Sequence, residues 1–296
     1  MGLITCEELS KSRGGENALN DISFSINENT ITGLVGRNGA GKTTLLKILS
    51  GLWRESSGKV HVLEEHPFNN LFVAVNSIYI DDQMVFSQTL SLKDILIEAE
   101  RFYPNWDREL ANRLFEYFQF HPKQKHGQLS KGKRSTFHMI LGLASRCAVT
   151  IFDETTIGMD HAVRKDFYRA LLKDYLTVPR TIIISSHHLE EIEELLEHVL
   201  LLKHGKKLFH LPIDDVKNYA IGLTGRTEIV RQWVKNKQII HMENVGVNSS
   251  YVVIKNDPFD LDQARRLGIS VSPVTPSDLC IYLTDQEQGR IDDVFK

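Results

Sequence analysis

The stretch Gly36-Arg37-Asn38-Gly39-Ala40-Gly41-Lys42-Thr43 decides the fold of this chain. It matches every fixed position of the pattern G-x-x-x-x-G-K-[ST], which we call the P-loop. Its glycines let the backbone curl until consecutive N–H groups point inward, and a helix that begins near Lys42 adds its positive dipole end. The stretch therefore predicts a phosphate-binding loop between a strand and a helix.

The residues on either side of the P-loop fit this prediction. The apolar run TITGLV at positions 30–35 predicts the strand, and KTTLLKIL at positions 42–49 predicts the helix. Lys42 is predicted to reach the β and γ phosphates of a nucleotide, and the Thr43 hydroxyl to bind Mg²⁺. The predicted nucleotide-binding positions of this segment are Gly36, Asn38, Gly39, Ala40, Gly41, Lys42, Thr43 and Thr44.

An apolar strand that ends in two carboxylates follows at positions 149–154, with the sequence VTIFDE. Asp153 at the strand end suits Mg²⁺ coordination, and Glu154 is placed to polarise an attacking water. The alternative is an acidic turn that caps a buried strand. A further buried-looking run, TIIISS at positions 181–186, is separated from the first by a helical stretch. Strands and helices in this order predict a largely parallel sheet.

Motifs before, between and after these two strands occur in the order of one family. LSKGK at positions 129–133 is similar to the L-S-G-G-Q signature, with lysine at its third and fifth positions. TTIGMD at positions 155–160 is similar to the D-loop, with Thr155 in place of proline, and His187 follows a strand like the switch histidine. On these motifs, over about positions 3–209, the chain resembles the ABC ATPases.

The resemblance implies roles for residues outside the P-loop. Glu154 and His187 would be the catalytic pair, with His187 near the γ phosphate and His188 as its rival. Ser130 and Gly132 would face a nucleotide held by another subunit, because a helix begins there. The alternative is that Ser130 only caps that helix.

Two positions depart from the family pattern. Asp82 occupies the position at which the family has the Q-loop glutamine, and Gln83 follows one place later. We predict that Asp82 binds Mg²⁺ together with Thr43 and Asp153, and an inward-facing Gln83 is the alternative. Arg13 stands where an aromatic residue usually stacks on adenine. Its guanidinium plane can stack on a base, or it can be an exposed surface charge.

The resemblance implies an α/β fold of the P-loop NTPase, ABC ATPase class. We expect a mostly parallel core sheet, an antiparallel N-terminal β subdomain and an inserted helical subdomain at about 84–145. The ATPase domain is expected to span residues 1–211, and a small C-terminal α/β accessory domain residues 212–296. The expected cofactors are ATP and Mg²⁺, with GTP as an open alternative to ATP.

Composition limits the partners of the 296-residue chain. A net charge of -3 provides no global positive field for nucleic acid, so no nucleic-acid partner is expected. No apolar stretch approaches the roughly 18 residues that span a bilayer. The cysteines are far apart in sequence and are expected to be reduced thiols of a cytosolic protein. They are Cys6, Cys147 and Cys280.

The resemblance also implies partners and a place of action. The signature of one subunit would complete the P-loop site of a second ABC ATPase subunit, in a homodimer or a heterodimer. ATP binding and hydrolysis at these composite interfaces would drive transport, in the direction of export, through separate integral membrane permease subunits. The chain would be cytoplasmic and peripheral on the inner face of the cell membrane.

The finer resemblance is to the YtrB-type subunit of bacterial export systems. It rests on FYPNWD at positions 102–107 and on the lysine-bearing signature. The alternative function is a soluble ABC ATPase that serves a cytosolic assembly, such as iron–sulfur cluster biogenesis.

Overall fold

The computed structural model describes residues 2–187, 189–256 and 261–285, apart from the side chains of Arg13 and of residues 261–263. Within this described part of the chain, no helix is long and apolar enough to cross a membrane. All three cysteines are buried and free of disulfides.

The chain divides into two compact units. Unit 1 comprises Met1–His187 and Glu194–His210. Unit 2 comprises Leu211–Lys296 together with the short segment His188–Glu193, which follows the predicted switch histidine. The elements up to Pro212 are β1 (Ile4–Arg13), β2 (Glu16–Ile26), β3 (Ile31–Val35), α1 (Lys42–Leu49), β4 (Ser57–Val62), α2 (Leu71–Asn76), β5 (Ser77–Asp81), α3 (Leu92–Phe102), α4 (Arg108–Tyr117), α5 (Lys131–Ala144), β6 (Val149–Asp153), α6 (His161–Thr177), β7 (Thr181–Ser186), β8 (His198–Lys203) and β9 (Lys206–Pro212).

A six-stranded core sheet, in the order β5-β6-β7-β3-β8-β9, positions the predicted site. The pairs β5–β6, β6–β7, β7–β3 and β3–β8 are all parallel. Every residue of β3, β6 and β7 is buried, as expected for strands covered on both faces. The predicted parallel sheet is therefore confirmed, and the P-loop, Asp82, Glu154 and His187 all follow carboxyl ends of neighbouring strands.

A separate three-stranded antiparallel sheet, in the order β2-β1-β4, precedes and flanks the P-loop in sequence. Ile22, Phe24 and Ile26 of β2 alternate with exposed residues, so one face of this sheet packs on the core. The antiparallel N-terminal subdomain is thus confirmed.

The helical insert contains α3, α4 and α5. The side chain of Asp107 accepts a hydrogen bond from Leu110 N and caps α4, as its position before the apolar repeat predicts. The aromatic rings of Phe115, Phe120 and Phe137 lie 5.4–6.5 Å apart, centroid to centroid, and pack α4 against α5. These contacts hold the helix that begins at the signature.

Unit 2 has its own small sheet and core. Its elements beyond Pro212 are α7 (Ile213–Lys217), β10 (Ala220–Arg226), α8 (Thr227–Val234), β11 (Ile239–Asn244), β12 (Ser249–Lys255), α9 (Leu261–Arg266), β13 (Ser270–Pro273) and α10 (Pro276–Thr284). The sheet order is β11-β12-β10-β13, and each neighbouring pair is antiparallel. This β-α-β-β-α-β order is the ferredoxin-like arrangement. Ser277 Oγ of α10 donates a hydrogen bond to Glu190 Oε2 at 2.6 Å, which ties the segment His188–Glu193 to this unit.

Candidate functional site

A cavity of about 440 Å³ lies at the N-terminus of α1 in unit 1. Three stretches line it: the start of β2, the P-loop with the first residues of α1, and the residue after β6. The lining residues are Glu16, Asn17, Ala18, Asn38, Gly39, Ala40, Gly41, Lys42, Thr43, Thr44 and Glu154. Every predicted nucleotide-binding position of the P-loop segment except Gly36 therefore lines one cavity.

The P-loop backbone requires glycine where it meets the antiparallel sheet. Gly41, the N-cap of α1, has a φ of 103°. A Cβ atom there would lie 2.6 Å from the backbone oxygen of Ala18, so both the conformation and the space exclude a side chain. The loop therefore packs closely against β2 on one side, and its residues 38–41 line the cavity.

Lys42 and Glu154 form an ion pair inside this cavity. Lys42 Nζ lies 3.1 Å from Glu154 Oε1 and donates a hydrogen bond to the Gly36 backbone oxygen at 2.7 Å. His187 Nδ1 lies 3.8 Å from the same Glu154 oxygen. The structure therefore brings three residues that were predicted from separate motifs into one site.

Glu154 has a backbone conformation that is unusual for its residue type. Its φ is 50°, in the left-handed region, and its N–H donates a hydrogen bond to Ser185 Oγ at 2.9 Å. Such strain persists only where the surroundings hold it, and it concentrates at functional sites. This bond from the Glu154 N–H to Ser185 Oγ holds the backbone of the residue whose carboxylate pairs with Lys42.

Asp153 is oriented by two hydroxyl groups that sequence reasoning missed. Ser185 Oγ donates to Asp153 Oδ1 at 2.6 Å, and Tyr79 OH donates to Oδ2 at 2.8 Å. Burial, aided by the Asp153 charge, raises the pKa of Tyr79 far above its ordinary value, so its hydroxyl remains a donor. Ser185 lies in β7, two residues before His187, and this position near the strand end was the available signal. Tyr79 gave none.

The donors near the P-loop fit a magnesium ion that arrives with a nucleotide. Among the described residues, no group of three or more His, Cys, Asp or Glu side chains forms a metal site. Mg²⁺ needs no such group, because it typically takes one or two carboxylates and completes its shell with phosphates and water. The Thr43 hydroxyl and the Asp153 carboxylate, which keeps further lone pairs, supply that chemistry.

The signature lies outside the cavity of its own chain. Ser130 caps α5 by accepting a hydrogen bond from Lys133 N at 3.3 Å. Neither Ser130 nor Gly132 is among the residues that line the cavity. Lys131 Nζ lies 3.4 Å from Asp82 Oδ2, so the first lysine of the signature contacts the aspartate at the Q-loop position. Gln83 is exposed.

The adenine end of the site is described only in part. The backbone of Arg13 ends β1, but its side chain lies outside the described residues. A turn at Gly14 and Gly15 leads into β2, whose first residues line the cavity. Sequence reasoning missed Glu16, Asn17 and Ala18, although the glycine pair beside Arg13 was a signal for a hairpin there.

Replacement of Gly132 should destabilise the signature. A Cβ atom there would lie 2.5 Å from the backbone oxygen of Gly158, so we expect Gly132→Ala to lower the free energy of unfolding by about 1–3 kcal/mol. Gly127→Ala is the matched control, because nothing lies within 4 Å of its added Cβ. Denaturant titration of both variants measures the difference. Equal stability of the two variants would contradict the close packing of Gly132 on Gly158.

Comparison with known proteins identifies the family of this chain. The family profile described as ABC transporter matches residues 19–157. The chain is 32% identical over 218 residues to the uncharacterized ABC transporter ATP-binding protein MJ1023 of Methanocaldococcus jannaschii, covering 72% of this chain and 79% of that protein. It is 28% identical over 260 residues to the ABC transporter ATP-binding protein YtrB of Bacillus subtilis, covering 86% of this chain and 88% of that protein.

One further relative and one solved structure are also similar to this chain. The bacitracin transport ATP-binding protein BcrA of Bacillus licheniformis is 28% identical over 218 residues, covering 73% of this chain and 71% of that protein. A solved ATP-binding subunit of an ABC transporter shares the fold, with a TM-score of 0.66 at 21% identity over 72% of this chain and 91% of that one. The chain belongs to the family of ABC transporter ATP-binding proteins. It is the ATP-binding subunit of such a transporter, an ABC-type ATPase.

Proposed function

We propose that the cavity at the N-terminus of α1 binds ATP with Mg²⁺, and that two chains hydrolyse it at sites they complete for each other. The observation that carries the proposal is the position of Glu154 Oε1, near both Lys42 Nζ and His187 Nδ1. Glu154 as proton acceptor, Lys42 as the cation for a phosphate and His187 as a second nitrogen group therefore lie within one site.

Each residue of this cluster has a proposed task. The γ phosphate takes the place of the Gly36 carbonyl and of Glu154 as the partner of Lys42, because a phosphate group carries more negative charge than a carbonyl or a carboxylate. Glu154, released from the ion pair, accepts a proton from the attacking water. His187 helps hold that water near the γ phosphate. When bound, Mg²⁺ supplies neutralisation of phosphate charge, and Thr43 and Asp153 would hold it.

The second subunit is proposed to be another copy of this chain. Ser130 and Gly132 begin α5, and the positive end of that helix is suited to a phosphate. Because these residues lie outside the cavity of their own chain, we propose that they close over the γ phosphate of the partner's nucleotide. Arg13 is proposed to stack on adenine. Closing and reopening of the pair would transmit the energy of hydrolysis.

Asp82 rather than Gln83 is proposed to complete the Mg²⁺ site. The Asp82 side chain would leave Lys131, 3.4 Å away, because an exposed ion pair contributes only about 0–1 kcal/mol. We therefore expect Asp82→Ala to raise the Mg²⁺ concentration for half-maximal hydrolysis by roughly 10-fold or more, and the adjacent control Gln83→Ala to leave it unchanged. A Mg²⁺ titration of ATPase rates measures this. Loss of hydrolysis in Gln83→Ala alone would assign the role to Gln83.

The transport role is proposed from the relatives. One of them is named for bacitracin transport, and the YtrB relative is 28% identical over 260 residues. We propose that this chain powers export through separate integral membrane subunits, and that it is cytoplasmic and peripheral on the inner face of the membrane. Residues 1–211 are proposed as the ATPase domain and residues 212–296 as an accessory domain.

Partner identification tests the transport role. Tagged Glu154→Gln protein is purified from detergent-extracted native membranes with ATP present, and bound proteins are identified by mass spectrometry. The wild-type chain without nucleotide is the control. We expect enrichment of integral membrane proteins in the ATP sample. Enrichment of soluble partners alone, from fully extracted membranes, would instead support an ATPase that serves a cytosolic assembly.

A further inference from the structure

Two buried histidines face each other beside the carboxyl end of β5. His126 lies in the short 3-10 turn before the signature and His138 lies in α5, and they are 5% and 1% exposed. Their Nε2 atoms are 2.7 Å apart. The two rings are 17° from coplanar with centroids 4.9 Å apart, so the nitrogens meet edge to edge. This is the geometry of a direct hydrogen bond between the rings.

The hydrogen-bond partners assign the tautomers of both rings. His138 Nδ1 lies 3.1 Å from the backbone oxygen of Asp81, the last residue of β5. A carbonyl oxygen only accepts, so Nδ1 of His138 carries the proton and its Nε2 accepts one from His126 Nε2. Burial lowers the pKa of His138 to about 4, with His126 as the second cause, and burial also lowers the pKa of His126. Both rings are therefore neutral near pH 7.

The pair joins three stretches of unit 1 that bear on the nucleotide site. They are the turn before the signature, the signature helix α5, and the end of β5. Phe86, from the segment between β5 and α3, packs edge-on against His126 with ring centroids 5.0 Å apart. The ring centroid of Phe137 lies 6.3 Å from that of His126. Because both histidines are buried, their hydrogen bonds face little competition from water.

We propose that His126 and His138 are positioning residues for ATP hydrolysis, which fix the peptide unit that carries Asp82. Because a peptide unit is planar, holding the Asp81 carbonyl also sets the direction of the Asp82 N–H and the position of the Asp82 Cα, from which the side chain leaves. The inference rests on the proposed role of Asp82 at the Mg²⁺ site. The pair also links that residue to the signature helix of the same chain.

The loss of such a link should lower turnover without weakening ATP binding. The histidines do not line the cavity, whereas misplacement of a reacting group by about 1 Å costs up to roughly 100-fold in rate. We expect His138→Leu to lower kcat by roughly 10- to 100-fold and to leave KM for ATP within about twofold. We expect His138→Asn to recover most of kcat, because the amide nitrogen of asparagine can take the place of Nδ1 and donate to Asp81.

The order of these two variants separates positioning from packing. Leucine keeps more of the volume and the apolar character of the buried ring, so a packing role predicts that Leu is tolerated better than Asn. A positioning role predicts the reverse. The full-length chain is assayed by phosphate release, and thermal unfolding shows whether each variant is folded. His210→Leu, on β9, is the control and should keep the kcat of the wild type.

A second pair of variants tests the relay itself. Gln at position 126 can still donate to His138 Nε2, so His126→Gln should keep most of kcat while His126→Leu loses it. The double variant with His138→Leu should be no worse than the worse single variant, because both remove one linked unit. The proposal fails if His138→Asn is slower than His138→Leu, or if both Leu variants turn over at the wild-type rate. Absence of hydrolysis in the wild type would instead refute the proposed function.

Discussion

Protein that carries Glu154→Gln is expected to bind ATP as well as the wild type and to hydrolyse it roughly 100- to 10,000-fold more slowly. The substitution changes one oxygen to an amide group and keeps the size of the side chain. An amide cannot accept a proton near neutral pH, so the attacking water loses its base. The left-handed backbone at this residue, with a φ of 50°, is held by Ser185 and does not depend on the charge.

Two assays separate binding from chemistry in this variant. Equilibrium dialysis with labelled ATP measures binding, and phosphate release measures hydrolysis. Glu28→Gln is the control, because Glu28 is exposed in the turn between β2 and β3. This variant should hydrolyse ATP at the wild-type rate. A decrease of less than about 10-fold in Glu154→Gln would show that Glu154 is not the base.

Lys42→Ala is expected to weaken ATP binding by roughly 100-fold, because hydrogen bonds to charged groups contribute about 1.5–3 kcal/mol each. Lys42 is 5% exposed, and its Nζ contacts the Glu154 carboxylate and the Gly36 backbone oxygen. A phosphate would replace both of these partners. The matched control is Lys47→Ala in the same helix. Lys47 Nζ lies 5.2 Å from the centroid of a Trp53 ring and does not line the cavity.

Dialysis with labelled ATP measures both lysine variants. The Lys47→Ala protein should bind ATP within about twofold of the wild type, because the Lys47 side chain does not line the cavity. Equal affinity of Lys42→Ala and the wild type would contradict the assignment of the cavity as the phosphate site. Removal of the lysine also leaves Glu154 without its ion-pair partner, so the thermal stability of the variant should be measured in parallel.

The parts of the site that could be predicted from sequence are those whose chemistry is local. The P-loop needs its glycines and its lysine in one continuous stretch, because the loop and the first turn of α1 act together. The acidic pair at Asp153 and Glu154 is likewise set by the end of one strand. Their convergence follows from parallel strand order, which places successive carboxyl ends at one edge.

The contacts that could not be predicted join stretches that are distant in sequence. Tyr79 reaches Asp153 only because β5 pairs with β6, and no pattern around Tyr79 indicates which strand is its neighbour. The pairing of His126 with His138 depends on the angle at which α5 leaves its cap. Each histidine alone has the pattern of an ordinary buried residue. The contact between Asp82 and Lys131 is of the same kind, although each stood out as a departure from the family.

The central claim is that two copies of this chain complete each other's nucleotide sites, and mixing two inactive variants tests it most directly. Lys42→Ala removes the phosphate lysine. Ser130→Asp keeps a good helix cap and places a negative charge against the partner's γ phosphate. Each variant alone should be inactive. In an equal mixture about half of the pairs contain both variants, and each mixed pair has one intact site, so up to roughly a quarter of wild-type hydrolysis should return. A mixture that stays inactive, or wild-type hydrolysis by Ser130→Asp alone, would contradict the account.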